Sequence, residues 1–218
     1  MQRSEIITQW RKMMVDDAGF HDAHKLWDEA EAESLFSDAC DALCEETRYF
    51  IGAMIDSVCL VPLVVGQRHY KLHPAIISVE NARPSWKTRH LDRLDVDSID
   101  SLHPQWLTNT GRPCAFLLDY EPDYISLSNE PDTAGDSIRL TVVRRQVDND
   151  SNTLEIPAQW HKHLKHYMAY QALFKQDTEV AGATNQADFK VTWDKAVEQM
   201  KQDILKMRRS SVSTSFVG

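Results

Sequence analysis

The chain has 218 residues, 42% of them hydrophobic, and a formal net charge of −9. This length allows one substantial domain or two small ones, and no apolar run approaches the roughly 20 residues that a membrane-spanning helix needs. The acidic charge counts against sequence-specific DNA binding, because a phosphate backbone repels a protein of the same sign.

The first residues predict an amphipathic helix rather than a secretory leader. Ile6, Trp10, Met13 and Met14 recur at helical spacing, and no signal-peptide core precedes them. We therefore expect a protein that stays in the cytoplasm in which it is made. The four cysteines include no second close pair that would complete a zinc site, so we expect reduced, mostly buried thiols; they are Cys40, Cys44, Cys59 and Cys114.

A second helix is predicted to begin after Asp28. Asp28 and Glu31 have the spacing of a capping box, in which each side chain accepts a hydrogen bond from the other residue's backbone N–H. The helix should end near Gly52, with a last turn continued by Ala53-Met54-Ile55 as the alternative. Its apolar stripe consists of Leu35, Phe36, Ala39, Cys40, Leu43, Thr47 and Phe50.

The middle of the chain predicts β structure. Short β-branched or alternating runs are separated by turns that contain Pro, Gly and Asn, and one short helix is predicted at 96–102, where aspartates flank Ile99 and Leu102. Strands at this spacing are typical of a small antiparallel sandwich or barrel. The candidate strands are 58–65, 69–72, 76–82, 116–119, 124–127 and 138–143.

Helices return after residues 148–151. Pro157 suits a first helical position, and Asn185 is a candidate cap for the last helix. The sequence thus predicts an α+β protein: a helical bundle built from both chain ends, with an inserted small antiparallel β domain that resembles a sandwich or barrel, and an extended C-terminal tail. The predicted domain limits are 1–57 and 148–209 for the bundle, 58–147 for the insertion and 210–218 for the tail.

No catalytic, cofactor-binding or metal-binding residue is predicted. The chain has neither a glycine-rich phosphate loop nor a Gly-x-Ser-x-Gly elbow. His161, His163 and His166 are close in sequence, but only His163 and His166 share a helix face, whereas zinc needs three or four converging ligands. A metal-dependent enzyme that uses these histidines remains an alternative to a solvated or inter-subunit histidine face.

Three tryptophans in or near turns, Trp27, Trp86 and Trp106, are candidates for contacts with other proteins, and Trp86 and Trp106 are candidates for inter-subunit contacts. Trp86 lies in a run of basic residues, and Trp106 lies in His103-Pro104-Gln105-Trp106. Large aromatic side chains often anchor protein interfaces. The basic run is followed at once by four aspartates, which favours a solvated loop or a subunit interface over nucleic-acid binding.

Ordered motifs give the chain a resemblance to a known family. They are Leu26-Trp27-Asp28-Glu29-Ala30-Glu31; Gly66-Gln67-Arg68-His69-Tyr70-Lys71-Leu72-His73-Pro74, followed by an apolar strand; His103-Pro104-Gln105-Trp106 with Thr110-Gly111-Arg112-Pro113; Leu154-Glu155-Ile156-Pro157-Ala158-Gln159-Trp160-His161; and the closing helix around Trp193. In this order, over about residues 20 to 207, the sequence resembles the head-to-tail connector, or adaptor, proteins of short-tailed bacteriophages. It departs from them at Asn129-Glu130-Pro131, where the family often has Pro-x-Pro.

The resemblance implies a non-enzymatic virion protein, made in the cytoplasm of the host bacterium and located between head and tail. It implies a ring of about twelve copies under the portal protein, which extends the DNA channel and receives tail or nozzle proteins. Genomic DNA would pass without sequence-specific binding, and no membrane is involved. A tail-completion or other ring protein of the same virion is the alternative.

The resemblance also implies that the C-terminal tail binds the portal. The tail is uncharged and ends in an apolar anchor, and repeated copies in a ring would offset the entropy lost when each tail becomes ordered. The residues expected to contact the portal are Ser210, Val212, Phe216, Val217 and Gly218, and the possible inter-subunit contacts are Trp86, Trp106, His163 and His166.

Overall fold

The computed structural model describes residues 2–14, 27–147, 153–175 and 183–212. The protein is of the α+β class. Its elements in chain order are α1 (Arg3–Met13), α2 (Glu29–Thr47), β1 (Ile51–Gly52), α3 (Asp56–Cys59), β2 (Leu60–Pro62), β3 (His69–Lys71), β4 (Ile76–Pro84), β5 (Asp92–Arg93), α4 (Val96–Leu102), β6 (Ala115–Leu117), β7 (Tyr124–Leu127), β8 (Ser137–Arg144), α5 (His161–Lys175) and α6 (Ala183–Val212).

Two compact units form from the chain. The helical unit comprises Met1–Tyr49 and Arg145–Gly218, and the β unit comprises Phe50–Arg144. The domain limits at 57/58 and 147/148 stay predictions, because compactness within one chain does not establish independent folding.

In the helical unit, α5 packs against α1, α2 and α6. The capping box of α2 forms as predicted: Asp28 Oδ1 accepts from the Glu31 N–H at 2.7 Å, and Glu31 Oε2 accepts from the Asp28 N–H at 3.0 Å. The predicted stripe of α2 is buried from Leu35 to Thr47. Further core side chains come from the other three helices and include Ile6, Trp10, Leu164, Met168, Trp193 and Met200.

The ends of three helices differ from the sequence prediction. α2 ends at Thr47 rather than near Gly52, because Arg48 adopts the left-handed conformation, with φ of 50°. α5 begins at His161, after a turn in which Pro157 accepts a hydrogen bond from the Trp160 N–H. α6 begins at Ala183, so Asn185 lies inside it, and it continues to Val212.

The C-terminal tail predicted at 210–218 is therefore partly wrong. Ser210 and Val212 belong to the last turn of α6, so the chain is helical there rather than extended. Phe216, Val217 and Gly218 lie outside the described residues.

The β unit contains two four-stranded sheets. In the first, β8 is central: β4 pairs with it along one edge, β1 and β2 pair with it along the other, and all three pairings are antiparallel. The second has the order β3-β7-β6-β5, in which β5 pairs with β6 in parallel. The described strands close no barrel, so of the two predicted architectures the sandwich fits better. The first sheet is antiparallel as predicted, whereas the parallel pair of β5 and β6 makes the second sheet mixed.

One hydrophobic core lies between these sheets. Val79, Ala82 and Leu140 from the first sheet pack with Phe116 and Ile125 from the second. A second, smaller cluster lies on the other side of β6. Side chains alternate along a strand, so Phe116 enters the main core while its neighbour Leu117 packs with Ile99 of α4 and Trp106.

Candidate assembly surfaces

The Trp106 turn, residues 103–113, is built around a tryptophan that points inward. The Trp106 side chain is 1% exposed and packs with Ile99 and Leu117. Its Nε1–H donates to Asp100 Oδ1 at 2.7 Å. The structure thus places this predicted contact residue inside its own subunit, and a direct inter-subunit contact would require the side chain to leave that core.

The buried side chain of Arg68 stabilises this turn through hydrogen bonds to its backbone. Arg68 is 6% exposed. Its guanidinium donates to backbone carbonyls in the Trp106 turn and at the end of β7. Nη1 bonds the carbonyl oxygens of Trp106 and, at 3.1 Å, of Ser128. Nη2 bonds those of Leu107 at 3.1 Å and Asn109 at 3.2 Å. Burial lowers the pKa of Arg68, and the charge of nearby Glu130 acts in the opposite direction.

Two leucines in and beside the Trp106 turn are exposed. Leu102, the last residue of α4, is 63% exposed, and Leu107 is 55% exposed. Leu102 ends the helix that the buried Ile99 anchors, and Leu107 directly follows the buried Trp106. The sequence did not identify Arg68 or these leucines as site residues, because carbonyl acceptors have no residue signature and surface exposure depends on the tertiary fold.

Trp86 lies at the edge of the β unit's main core. It is half-buried and packs against that core, and the guanidinium of Arg112 lies over its ring at 5.6 Å from the centre. Arg112 in turn pairs with Asp136, with 2.9 Å between Nε and Oδ2. The Arg112 cation therefore borders the part of Trp86 that stays exposed.

The histidines of α5 separate into two environments. His163 and His166 lie together, with 6.4 Å between ring centres, and His166 also lies 6.3 Å from Phe189 of α6. Burial and the charge of Lys162 lower the pKa of His163, and burial and Lys165 lower the pKa of His166. Both rings are therefore held more strongly in the neutral form.

His161 is not part of that pair. It is 4% exposed, and its Nε2 lies 2.6 Å from the carbonyl oxygen of Ile156. Among the residues that the structure describes, no three His, Cys, Asp or Glu side chains come together as metal ligands. None of the described helices combines the length and hydropathy needed to cross a lipid bilayer.

An apolar groove of about 610 Å³ runs between β2 and β3. Its wall is fixed by Tyr70, whose hydroxyl accepts from the Val64 N–H at 3.0 Å and donates to the Gln67 carbonyl at 2.8 Å. Aliphatic residues and prolines make up most of the lining, which includes Leu60, Val61, Val64 and Leu72.

The chain matches a known protein family over nearly all of its length. The model of a family described as SU10 adaptor protein matches residues 1–215. No curated protein matches the chain.

Proposed function

The chain belongs to the SU10 adaptor protein family, and from this membership we propose that it forms a ring under the portal that extends the DNA channel and receives the tail. Members of this family are head-to-tail adaptors of bacteriophages, so the chain is a structural adaptor protein of a phage virion. The family is not one of enzymes. The match over residues 1–215 is the observation that carries the proposal.

The ring is supported by the surface of the β unit. A subunit of a closed ring needs two different contact surfaces, one for each neighbour. The β unit has two apolar surfaces, the exposed Leu102 and Leu107 and the groove between β2 and β3. The copy number that we propose, about twelve, comes from the resemblance to short-tailed phage connectors.

Contact with the portal is proposed for the C-terminal end of the chain. α6 has 30 residues, so it extends roughly 45 Å. Segment 213–218 follows it and contains Phe216 and Val217, the proposed apolar anchor, with Gly218 last; Ser210 and Val212 would join from the end of α6. An anchor repeated around a ring gains avidity, because each further tail binds at a high effective concentration.

Passage of DNA through the ring is supported by charge. The net charge of −9 disfavours adhesion to the phosphate backbone, so a channel wall built from this chain would let DNA move. Tail or nozzle proteins would bind the free side of the ring.

The test combines the purified chain with the portal protein of the same phage. Negative-stain and cryo-electron microscopy should show a ring of adaptor density on one face of the portal, and mass photometry should give the number of copies. A chain found in purified virions at another level of the neck or tail would instead identify a tail-completion protein. A chain absent from infectious particles would contradict the proposal altogether.

A further inference from the structure

The exposed large apolar side chains described in the β unit form two sets. One set surrounds the Trp106 turn and contains Leu102, Leu107 and Tyr120. The other surrounds the β1–β2 edge and contains Ile51, Met54, Leu60, Val64 and Val65. We call Leu102 and Leu107 the leucine knob, and we call the cavity between β2 and β3 the apolar groove.

The leucine knob is held rigidly, as a docking element must be to limit the entropy lost on binding. The carbonyl of Leu107 accepts from Arg68 Nη2 at 3.1 Å. The neighbouring Trp106 is fixed through its Nε1–H bond to Asp100. At Leu102, the adjoining His103 N–H bonds the carbonyl of the buried Ile99 at 2.7 Å and closes the helix end.

The apolar groove is also preformed. The bonds of the Tyr70 hydroxyl to the backbone of Val64 and Gln67 hold the two sides of its wall at a fixed separation. Its volume of about 610 Å³ exceeds what two leucine side chains occupy. An aliphatic lining that stays open in one subunit leaves apolar surface in water, which a partner's apolar side chains would remove.

The charges beside the two surfaces are opposite. Asp97 and Asp100 are exposed and share one face of α4, and Asp100 reaches the Trp106 turn, which carries Leu107, by accepting from the Trp106 Nε1–H at 2.7 Å. Lys71 lines the apolar groove, together with His73, and no Asp or Glu is among the lining residues of the described cavity. Opposite charges beside matching apolar surfaces favour one relative orientation of two proteins.

We propose that the leucine knob of one subunit docks into the apolar groove of the adjacent copy in the ring. The contact is heterologous, because the two copies use different surfaces, and such contacts close into rings when the rotation between subunits permits it. Leu102 and Leu107 lose their exposed area against Leu60, Val64 and Leu72, and Lys71 faces Asp97. This inference rests on the proposed ring and specifies which surfaces form it.

Disulfide trapping tests the contact directly. In a Cys114→Ser background, which removes the exposed cysteine, one protein carries Leu107→Cys and a second carries Val64→Cys. The two are mixed with the portal protein of the same phage and oxidised. We expect a disulfide-linked dimer in the mixture but not with either protein alone, and a ladder of linked multimers when both substitutions are in one chain.

A matched control replaces Val64→Cys with Met54→Cys. Met54 is 92% exposed but lies outside the lining of the apolar groove. It should give no dimer with Leu107→Cys. Equal trapping by Met54→Cys and Val64→Cys would show random collision and would overturn the proposal.

Substitutions give a second test with a different readout. Leu107→Asp should weaken assembly on the portal by about tenfold or more, because a charge replaces a buried apolar side chain. Lys71→Glu should also weaken assembly, and Asp97→Lys in the same chain should restore part of it. Circular dichroism of each variant checks that the isolated chain still folds.

The outcomes separate the two proposals. If rings form on the portal but the cysteine pair does not link and Leu107→Asp assembles normally, the knob-and-groove contact is wrong while the ring stands. If the unmodified chain forms no ring with the portal, both proposals are wrong.

Discussion

The guanidinium of Arg68 lies under the ring of Trp106, 5.5 Å from its centre, and donates a hydrogen bond to the carbonyl oxygen of the same residue. One buried cation thus holds both the side chain and the backbone of the Trp106 turn. The carbonyls of Leu127, Ser128, Leu107 and Asn109 accept its other hydrogen bonds. The turn therefore depends on a residue that is distant from it in the sequence.

Replacing Arg68 should loosen this turn. Arg68→Met removes the guanidinium that donates to the carbonyls of Trp106, Leu107 and Ser128, which costs on the order of 3 kcal/mol. Arg68→Lys should cost less but still loosen the turn, because an ammonium group has only three donors and cannot reach every carbonyl that the guanidinium bonds. Hydrogen exchange measured by mass spectrometry should rise in 105–112 for both variants. Unchanged exchange there in Arg68→Met would contradict the role assigned to Arg68.

The helical unit should depend on the bond between Trp193 and Glu46. Trp193 is fully buried, and its Nε1–H donates to Glu46 Oε1 at 3.0 Å. Trp193→Phe removes the donor and leaves a small cavity, so we expect a loss of about 2 kcal/mol. Urea unfolding followed by circular dichroism at the helical band measures it.

Glu46→Gln is the matched control for that substitution. The side-chain amide of this variant keeps an oxygen that can accept from Trp193, so its unfolding midpoint should stay close to that of the unmodified chain. A midpoint that falls as far as that of Trp193→Phe would show that the charge of Glu46, rather than the bond, stabilises the unit.

Acid should destabilise the helical unit through His163 and His166. Both have a pKa below the ordinary value of about 6.5. Above about pH 6.5 both histidines are neutral in the folded and the unfolded chain, so they do not reduce the free energy of unfolding. As the pH falls from there towards the lowered pKa values, the unfolded chain takes up protons first and the free energy of unfolding decreases. The urea midpoint should therefore decrease between pH 7.5 and pH 5, and less so in His163→Gln/His166→Gln.

The control for this pH dependence is His103→Gln. His103 is exposed and lies in the β unit, so this substitution is the same change of residue type at a site outside the helical unit. A double variant with the full slope of the unmodified chain would exclude the histidine pair as its source.

Removing the proposed portal anchor should abolish binding without affecting the fold. A chain that ends at Val212 keeps all of α6 and lacks only 213–218. We expect the same circular dichroism spectrum and loss of capture by immobilised portal protein. Phe216→Ser with Val217→Ser should reproduce most of that loss, and Ser213→Ala serves as its control. Undiminished capture of the truncated chain would place the portal contact elsewhere.

The sequence by itself determined the elements whose causes are local. The capping box of Asp28 and Glu31 and the apolar stripe that follows are complete within one helix, so the start and the buried face of α2 were predictable. The helix at Val96–Leu102 has the limits that the flanking aspartates predicted, since Asp95 caps it by accepting from the Ser98 N–H at 2.7 Å. The family resemblance also came from motif order alone and is confirmed.

Tertiary structure decided the features whose causes are distant. β5 is two residues long and lacks a hydrophobic alternation, so only its pairing with β6 makes it a strand. The first residues of the predicted strand 58–65 are helical instead: α3 spans Asp56–Cys59, and Cys59 and Val58 pack into the main core. Trp106, a large aromatic residue near a turn, was predicted to contact a neighbouring subunit, but it is buried against the outer face of β6. Periodicity records which side chains are apolar, whereas burial depends on which strand lies opposite, and that partner is fixed only when the sheets assemble.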